Sequence, residues 1–333
     1  MHPALFATLG PLHSSRAWAS VIALTTTLAC SSSSSSPDTT SAGAGGGAGA
    51  GGAAAGGAAG MGGGAVEPGD YDPTPVGGTR PTKVYVPGSY VAGTPMPLVV
   101  LLHGYGASGA LQEALFLLKP LAESRGFLYV HPDGLPDAKG SRAWNGAGCC
   151  DAGTDDVAYL TGLVTEISSR WSVDPKRIHF TGHSNGAFMS HRMACEKADM
   201  IASIAPLAGD NWADPTKCQP SSPVAVVQIH GDADMTIPYG GGTIMGAPFP
   251  SATDSVLSWV SLDGCGAAID TSLPPLDLDS GLAGSETTRQ RWTGCNGGSE
   301  VQLWTIAGGA HIPNLTPVFG SSVIDFLFAH PKK

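Results

Sequence analysis

Residues 178–192, with the sequence IHFTGHSNGAFMSHR, limit the possible folds of this chain more than any other feature. A β-rich run leads into Gly182-His183-Ser184-Asn185-Gly186, which matches G-x-S-x-G, and a helix-like run follows directly. Glycine at positions 182 and 186 allows a strand to turn at once into a helix, because no Cβ stands where the two meet. The pattern predicts Ser184 on a strained turn with an exposed hydroxyl, and a helix over 185–195 whose free N–H groups face it.

Other apolar runs alternate with helical patterns along residues 79–333. The predicted strands are 83–86, 97–103, 127–131, 177–181, 201–207, 224–230, 287–293 and 301–306. The other predicted helices are 110–124, 155–171, 251–262 and 318–328. Because the strands are continuous apolar runs, the sequence predicts an α/β fold with a mostly parallel central sheet and helices on both faces. The segment is long enough to form one such domain.

The N-terminal part of the chain has the composition of an export signal followed by a linker. Arg16 precedes an apolar run over 17–29 that is too short to span a membrane, so residues 1–30 are predicted to be the signal. The ending Thr-Leu-Ala-Cys resembles a bacterial lipobox and predicts lipidation of Cys30, with an ordinary signal peptide as the alternative. Residues 31–78, rich in Ser, Gly and Ala, are predicted to be disordered. The expected location is secreted or cell-surface, with membrane contact only through a lipid anchor in the bacterial outer membrane.

Charge and cysteine content narrow the possible partners. The net charge is −10, and no basic cluster is longer than Lys332-Lys333, which argues against nucleic-acid binding. All seven cysteines except Cys30 lie in the predicted domain, and an even number in an exported chain suggests disulfides, with fifteen possible pairings. There is no H-E-x-x-H and there are no paired C-x-x-C sets, so we expect no metal site and no cofactor. No oligomeric state is predicted.

An acid and a base follow Ser184 in chain order, each after a predicted strand. A serine hydroxyl needs a base to take its proton, and the base needs a third group to fix its tautomer. His311 follows strand 301–306 within Ala-Gly-Gly-Ala-His and is the predicted base. Asp234 follows strand 224–230 and is the predicted acid, with Asp232 as the alternative. The sequence therefore predicts a Ser–His–Asp catalytic triad.

The predicted strand 97–103 ends in His-Gly-Tyr-Gly, where a donor to an oxyanion is expected. We expect the backbone N–H groups of Tyr105 and Asn185 to form the oxyanion hole. His103 fits a hydrogen-bonded structural role and His183 the wall of the site, because the base must reach Ser184 from a separate loop. Possible substrate-pocket residues are His103, Trp144, His183 and Tyr239.

These motifs occur together with the stretch Trp144-Asn-Gly-Ala-Gly-Cys-Cys and with His230-Gly-Asp-Ala-Asp-Met-Thr-Ile-Pro-Tyr239. The set resembles the secreted polyhydroxybutyrate depolymerase and feruloyl esterase family over nearly the whole chain after about residue 83. The resemblance implies an α/β-hydrolase fold, with Ser184 as nucleophile, Asp234 as acid and His311 as base. It also implies two disulfides and leaves two cysteines unassigned: Cys195–Cys218 and Cys265–Cys295 form the bridges, while Cys149 and Cys150 stay open.

One position beside the expected base departs from the family pattern. The family commonly has Gly-Gly-Gly-His followed shortly by Trp-Pro, whereas Ala310 precedes His311 here and Ile312-Pro313 follows it. The missing aromatic residue changes the surroundings of the base. Substrate preference therefore does not transfer directly from the family to this chain.

The resulting hypothesis is a serine esterase that hydrolyses carboxylic esters through an acyl-Ser184 intermediate. The expected substrates are polymer-linked esters: feruloyl groups on plant cell-wall polysaccharide or a polyhydroxyalkanoate, with an acetyl xylan esterase as the alternative. A non-catalytic, carbohydrate-binding surface lipoprotein is the alternative from another class, against which the complete set of Ser184, Asp234 and His311 argues. Peptidase or acyltransferase chemistry is a third possibility, because the same triad serves amides and other acceptors.

Overall fold

The computed structural model of the chain describes residues 69–150 and 153–333, all within the unit Met61–Lys333. The predicted export signal, the predicted lipidation site Cys30 and most of the predicted linker lie outside the described residues. None of the helices in the described ranges is long and apolar enough to cross a membrane.

A nine-stranded sheet in the order β1-β2-β4-β3-β7-β8-β9-β13-β12 forms the centre of the fold. The strands from β4 to β13 in this order run parallel, whereas β1, β2 and β12 pair antiparallel at the edges. Two short hairpins, β5–β6 and β10–β11, lie outside it. The strands are β1 (Asp70–Tyr71), β2 (Tyr85–Val86), β3 (Met96–Leu102), β4 (Leu128–Val130), β5 (Leu135–Pro136), β6 (Arg142–Ala143), β7 (Val173–His183), β8 (Ser203–Leu207), β9 (Ala225–Gly231), β10 (Gly242–Ile244), β11 (Ala247–Phe249), β12 (Thr287–Trp292) and β13 (Val301–Ile306).

Helices cover both faces of the sheet, as the apolar strands predict. They are α1 (Gly109–Phe116), α2 (Leu118–Arg125), α3 (Asp156–Arg170), α4 (Asn185–Glu196), α5 (Ala252–Leu262) and α6 (Pro317–Ala329). Successive residues of β3 point to opposite faces, so that Val100 packs in one core with α3, α4 and α5, while Leu101 packs in the other with α1, α2 and α6. A mostly parallel sheet buried on both faces confirms the predicted fold class.

The ordered fold begins before residue 79, the predicted start of the domain. Asp70 and Tyr71 pair with β2 at the edge of the sheet. Val76 is only 1% exposed and packs in the core, and its N–H donates to the carbonyl of Thr82 at 2.9 Å. The end of the segment predicted as linker is therefore part of the folded domain, because it contributes both a strand and a core side chain.

The helix predicted over 110–124 is two helices, α1 and α2, separated at Leu117. Leu117 has φ 53, in the left-handed region, and the backbone turns there. A continuous helix would require the N–H of Pro120 to donate to the preceding turn, and proline has none. The carboxylate of Glu113 instead accepts from the N–H groups of Leu118 and Lys119, which begin α2. The apolar spacing thus predicts a helical segment, but Pro120 divides it into two helices.

Three disulfides hold the loops of the domain. Cys195–Cys218 and Cys265–Cys295 are present, which confirms the pairs implied by the family resemblance. Cys149 and Cys150, unassigned from the sequence, form a disulfide between neighbouring residues. This third bridge lies in a loop that reaches the edge of the sheet where the candidate site is found.

Candidate active site

Ser184 lies on a sharp turn between β7 and α4, as the G-x-S-x-G pattern predicts. Its backbone has φ 55 and ψ −119, which is strained for a residue with a side chain. A Cβ at position 182 would collide with the backbone of Gly186, and one at position 186 would collide with Leu102. The turn therefore requires glycine at both positions, and it presents the Ser184 hydroxyl at the carboxyl ends of the parallel strands.

The structure brings Ser184, His311 and Asp234 together. His311 follows β13 and Asp234 follows β9, and these strands are neighbours in the sheet. Nε2 of His311 lies 3.0 Å from Oγ of Ser184, and Nδ1 of His311 lies 2.7 Å from Oδ2 of Asp234. This is the geometry in which a histidine accepts the proton of a serine while a carboxylate holds its tautomer.

The alternative acid, Asp232, does not contact His311. Its Oδ1 accepts the N–H of Gly308 at 2.6 Å, and its own N–H donates to the carbonyl of Ile306 at 3.1 Å. Asp232 therefore links the loop after β9 to the loop after β13. This arrangement leaves Asp234 as the carboxylate beside the imidazole.

Asp234 is buried, and its carboxylate is surrounded by donors. Oδ1 accepts the N–H groups of Thr236 at 2.7 Å and Ile237 at 2.9 Å, and Nε2 of His230 lies 3.5 Å from Oδ2. Burial alone would raise the pKa of Asp234, but the hydrogen bonds from His230, His311 and the Ile237 backbone outweigh it and hold the pKa below its usual value. Asp234 is therefore ionised at neutral pH, as an acceptor for the His311 ring must be.

His230 and Asp210 form a buried histidine–carboxylate pair next to Asp234. Nδ1 of His230 lies 3.9 Å from Oδ1 of Asp210, and Nε2 of His230 lies 2.8 Å from the carbonyl of Ile237. Burial raises the pKa of Asp210 to about 6. Burial would lower the pKa of His230, but Asp234 and Asp210 outweigh this and raise it. The position of Asp210 beside the site could not be predicted from the sequence, because no local motif marks this residue.

Tyr105 and Asn185, the two expected oxyanion donors, are both close to Ser184 in the fold: Tyr105 lines the same cavity, and Asn185 follows Ser184 in the chain. The N–H groups of the two residues that flank Tyr105 are hydrogen-bonded. Gly104 donates to Oε1 of Gln112 at 3.2 Å, and Gly106 donates to the carbonyl of Arg142 at 2.8 Å. Among the described residues, the N–H of Tyr105 between them has no acceptor. Asn185 begins α4, where backbone N–H groups lack partners in the helix. Their role as oxyanion donors stays a prediction that this geometry allows.

The side chain of Asn185 holds the loop that carries Trp144. Its Oδ1 accepts the N–H of Trp144 at 2.6 Å, and its Nδ2 donates to the carbonyl of Trp144 at 2.8 Å. The asparagine is 1% exposed. Asn185 thus fixes the neighbouring loop and also begins α4.

His183 lies in the wall of the site, as expected. Its Nε2–H donates to the carbonyl of His311 at 2.7 Å, and the two imidazole rings are 4.8 Å apart. Burial, with a smaller contribution from His311, lowers the pKa of His183 to about 4. His183 is therefore neutral at neutral pH and fixes the main chain of His311.

A cavity of about 360 Å³ opens beside Ser184, and most of its lining is apolar. Cys149 and Cys150 form part of this wall through their disulfide. The polar residues that line the cavity are Tyr105, Gln112, His183, Ser184, Thr236 and His311. The apolar residues that line it, apart from the disulfide, are Ala107, Leu111, Leu115, Ile244, Met245 and Ile312.

Three of the four residues expected in the substrate pocket do not line it. His103 is fully buried, and its Nε2 accepts the N–H of Gly134 at 2.8 Å, so it has the structural role considered for it. Trp144 is fully buried with its ring 5.2 Å from His103. Tyr239 packs on the core, and its hydroxyl lies 2.8 Å from that of Thr305. These expectations were wrong because core packing and hydrogen bonds hold all three side chains away from the cavity; His183 does line it.

Two of the unpredicted pocket residues come from the hairpin β10–β11. Ile244 ends β10, and the two-residue turn Met245-Gly246 has φ 49 and φ 82, both in the left-handed region. Such turns favour a hairpin, but Asn-Gly or Asp-Gly is the usual signal. The Gly-rich stretch around residue 242 is the signal that the sequence offered. Met245 in this position places an apolar side chain over the site.

Comparison with known proteins relates the chain to ester hydrolases. A model of the prolyl oligopeptidase family matches residues 115–209, which include Ser184. Feruloyl esterase B of Piromyces equi is 30% identical over 240 residues, which is 70% of this chain and 42% of that protein. Poly(3-hydroxyalkanoate) depolymerase C of Paucimonas lemoignei is 30% identical over 163 residues, 48% of this chain and 38% of that protein. The chain thus spans about two fifths of the length of both relatives.

A solved structure gives the same result for the fold. Acetyl xylan esterase from Aspergillus awamori superposes with a TM-score of 0.53 at 16% identity, covering 74% of this chain and 93% of that one. The class predicted from the sequence, a carboxylic ester hydrolase, is supported by the relatives and by the arrangement of Ser184, His311 and Asp234. The chain therefore has an α/β-hydrolase fold, and it is similar in sequence to a feruloyl esterase and to a poly(3-hydroxyalkanoate) depolymerase.

Proposed function

We propose that this protein is an exported serine esterase acting on esters carried by a polymer, and that feruloyl esters of plant cell-wall polysaccharide are its substrates. The observation that carries the proposal is the contact of His311 with both Ser184 and Asp234 at the mouth of an apolar cavity. A binding protein without catalysis has no need of this arrangement.

In the proposed reaction, Oγ of Ser184 attacks the ester carbonyl carbon while Nε2 of His311 accepts the hydroxyl proton. The N–H groups of Tyr105 and Asn185 donate to the oxyanion that forms. His311 then gives the proton to the departing alcohol oxygen, which leaves the acyl group on Ser184. Water attacks this acyl ester while His311 takes its proton, and the carboxylic acid and free Ser184 are released.

The size and lining of the cavity favour an aromatic acyl group over an acetyl group. At about 360 Å³ it falls within the range of about 300–1,000 Å³ found for small-molecule pockets. Leu115, Ile244 and the Cys149–Cys150 disulfide offer apolar contacts on several sides. An acetyl group would leave most of these walls uncontacted, whereas a phenolic acyl group would bury its ring against them.

Hydrolysis of matched methyl esters tests this proposal. We expect the purified protein to hydrolyse methyl ferulate with a higher kcat/KM than methyl acetate, and Ser184→Ala to abolish both activities. A preference for methyl acetate would favour the acetyl xylan esterase alternative. An inactive wild type on all esters, with binding to polysaccharide, would favour the non-catalytic alternative.

A polyester is the second candidate substrate, because exposed apolar side chains surround the mouth of the cavity. Leu111, Met245 and Ile312 are 64%, 55% and 63% exposed, respectively. Exposed apolar groups that lie together commonly mark a binding surface. They would suit a water-insoluble polyhydroxyalkanoate.

Clearing of a polyhydroxybutyrate suspension tests the second candidate. If the polyester is the substrate, Ile312→Ser should slow the clearing while hydrolysis of soluble esters continues. Val91→Ser is the matched control, since Val91 is 59% exposed and does not line this cavity. No clearing by the wild type, or equal rates for both variants, would count against this candidate.

We also propose export, with a lipid anchor on Cys30. The three disulfides support an oxidising compartment. Cys30→Ala should move the protein from the membrane fraction to the soluble fraction of the producing cell. A wild-type protein already in the soluble extracellular fraction would instead indicate an ordinary signal peptide.

A further inference from the structure

A second cavity of about 520 Å³ lies beside the catalytic cavity. The two cavities share a wall made of Tyr105, Met245 and the Cys149–Cys150 disulfide. A ligand held in one cavity therefore lies next to a ligand held in the other. An ester has two sides, an acyl group and an alcohol group, and two adjoining cavities can hold one each.

The lining of the second cavity differs in character from that of the first. It contains the ring of Trp212 and the polar side chains of Asp137, Asn145, Asp214 and Lys217. Nζ of Lys217 lies 5.1 Å from the centre of the Trp212 ring, so the two side chains stand together. The catalytic cavity has no Asp, Glu, Lys or Arg among its lining residues, so the charged groups are concentrated on one side of the shared wall.

We infer that the second cavity binds the sugar unit that bears the ester, and so recognises the alcohol side of the substrate. The inference rests on the proposed function. A sugar ring has C–H faces that pack on an aromatic ring and hydroxyls that both donate and accept hydrogen bonds. Trp212 supplies the ring, Lys217 supplies a donor, and the carboxylate of Asp214 supplies an acceptor.

The charges of this cavity argue for a neutral sugar over the other alcohol groups that an ester can carry. Asp137 and Asp214 disfavour an anionic ligand. The carboxylate of Asp137 already accepts from Tyr105 and from two backbone N–H groups, whereas Thr216 donates only to Oδ1 of Asp214. A polyester segment has no hydrogen-bond donors, so it would cover the other oxygen of Asp214 without satisfying it, which costs free energy. A hydroxyl-rich, uncharged ring can donate to Asp214 and accept from Lys217.

Tyr105 connects this cavity to the reaction. Its hydroxyl donates to Oδ2 of Asp137 at 2.6 Å, and its backbone N–H is the proposed oxyanion donor. The sugar would therefore be bound against a residue that acts on the transition state. Binding energy gained away from the reacting bond can raise kcat when it holds the ester in place.

Two esters with the same acyl group and different alcohols test the inference: a feruloylated cell-wall oligosaccharide and methyl ferulate. We expect the wild type to prefer the oligosaccharide ester, and Trp212→Ala and Lys217→Ala each to lower its kcat/KM about tenfold. Hydrolysis of methyl ferulate should stay within about twofold for both variants, because methanol does not fill the second cavity. Lys83→Ala is the matched control, since Lys83 is exposed and lines neither cavity.

Equal changes on both substrates, or no change on either, would overturn the inference while leaving the esterase activity standing. Lack of hydrolysis of any ester by the wild type would instead overturn the proposed function. If Trp212→Ala fails to fold, Trp212→Phe and Lys217→Ala decide the question on the same two substrates.

Titration of the unesterified oligosaccharide into Ser184→Ala protein tests the site without turnover. We expect a heat of binding that disappears when Trp212→Ala is added to this variant. No binding to Ser184→Ala, or binding unchanged by Trp212→Ala, would overturn the inference.

Discussion

Oδ2 of Asp234 lies 2.7 Å from Nδ1 of His311, whereas Asp232, two residues earlier, accepts a hydrogen bond from the backbone of Gly308. The two aspartates therefore have different hydrogen-bond partners, although they lie on the same turn. Asp234 contacts the imidazole of His311, and Asp232 connects the loop after β9 to the loop after β13. This difference leads to the first prediction.

Asp234→Asn should lower kcat for a soluble ester by about 10⁴, because an amide cannot hold the His311 tautomer that accepts the Ser184 proton. Asp232→Asn should cost less than about tenfold, since only the hydrogen bond to Gly308 is affected. Steady-state kinetics of both variants on methyl ferulate checks this. A larger loss in Asp232→Asn would assign the acid to Asp232.

Asn185→Leu should lower the free energy of unfolding by about 1–3 kcal/mol, because the buried N–H of Trp144 loses its acceptor. The carbonyl of Trp144 keeps a partner in the N–H of Gly146, at 2.9 Å. Urea unfolding of the variant and the wild type measures the difference. An unchanged midpoint with an unchanged slope would show that the contact does not stabilise the fold.

Stability should fall as the pH is lowered, in part because of His179. This side chain is fully buried, with Nδ1 2.8 Å from the hydroxyl of Ser203. Burial, with smaller contributions from Arg177 and His330, lowers the pKa of His179 from 6.5 to about 3. Between these values the unfolded chain binds a proton that the folded chain does not, so stability present above pH 6.5 is lost on acidification.

The expected contribution of His179 between pH 6.5 and pH 4.5 is about 2–3 kcal/mol, at about 1.4 kcal/mol for each pH unit. His179→Asn removes the titrating group, so its free energy of unfolding should fall less over this pH range than that of the wild type. Urea unfolding at both pH values measures the two differences. Parallel losses in the two proteins would contradict the assignment to His179.

Removing the Cys195–Cys218 disulfide should cost about 3 kcal/mol, because its partners are separated by 23 residues and the bridge restricts the unfolded chain. The double variant Cys195→Ser, Cys218→Ser should therefore unfold at a lower temperature. Cys149→Ser, Cys150→Ser is the control, since that bridge joins neighbouring residues and closes almost no loop. Equal decreases in Tm for the two double variants would contradict this explanation.

The mostly parallel sheet and the proximity of Ser184, Asp234 and His311 could be predicted from the sequence. Each of these residues follows an apolar run flanked by glycine, and parallel strands end at one edge, so chain order indicated the arrangement. The family resemblance added the pairing of four cysteines, which spacing alone leaves open.

The walls of the site could not be predicted in the same way. Leu111 and Leu115 belong to α1, Met245 to a hairpin and Ile312 to the loop after His311, and only the folded chain brings them together. An apolar residue taken singly fits a core as well as a pocket. Trp144 shows the converse, since it was expected in the pocket and is instead fully buried.

Covalent labelling of Ser184 tests the central claim most directly. The protein is incubated with a p-nitrophenyl alkylphosphonate, which transfers a phosphonyl group to an activated serine, and its peptides are then analysed by mass spectrometry. We predict one phosphonyl group per chain, on the peptide that contains Ser184, and no label in His311→Ala. Absence of the label in the wild type, or its presence on another residue, would contradict the assignment of Ser184 as the nucleophile.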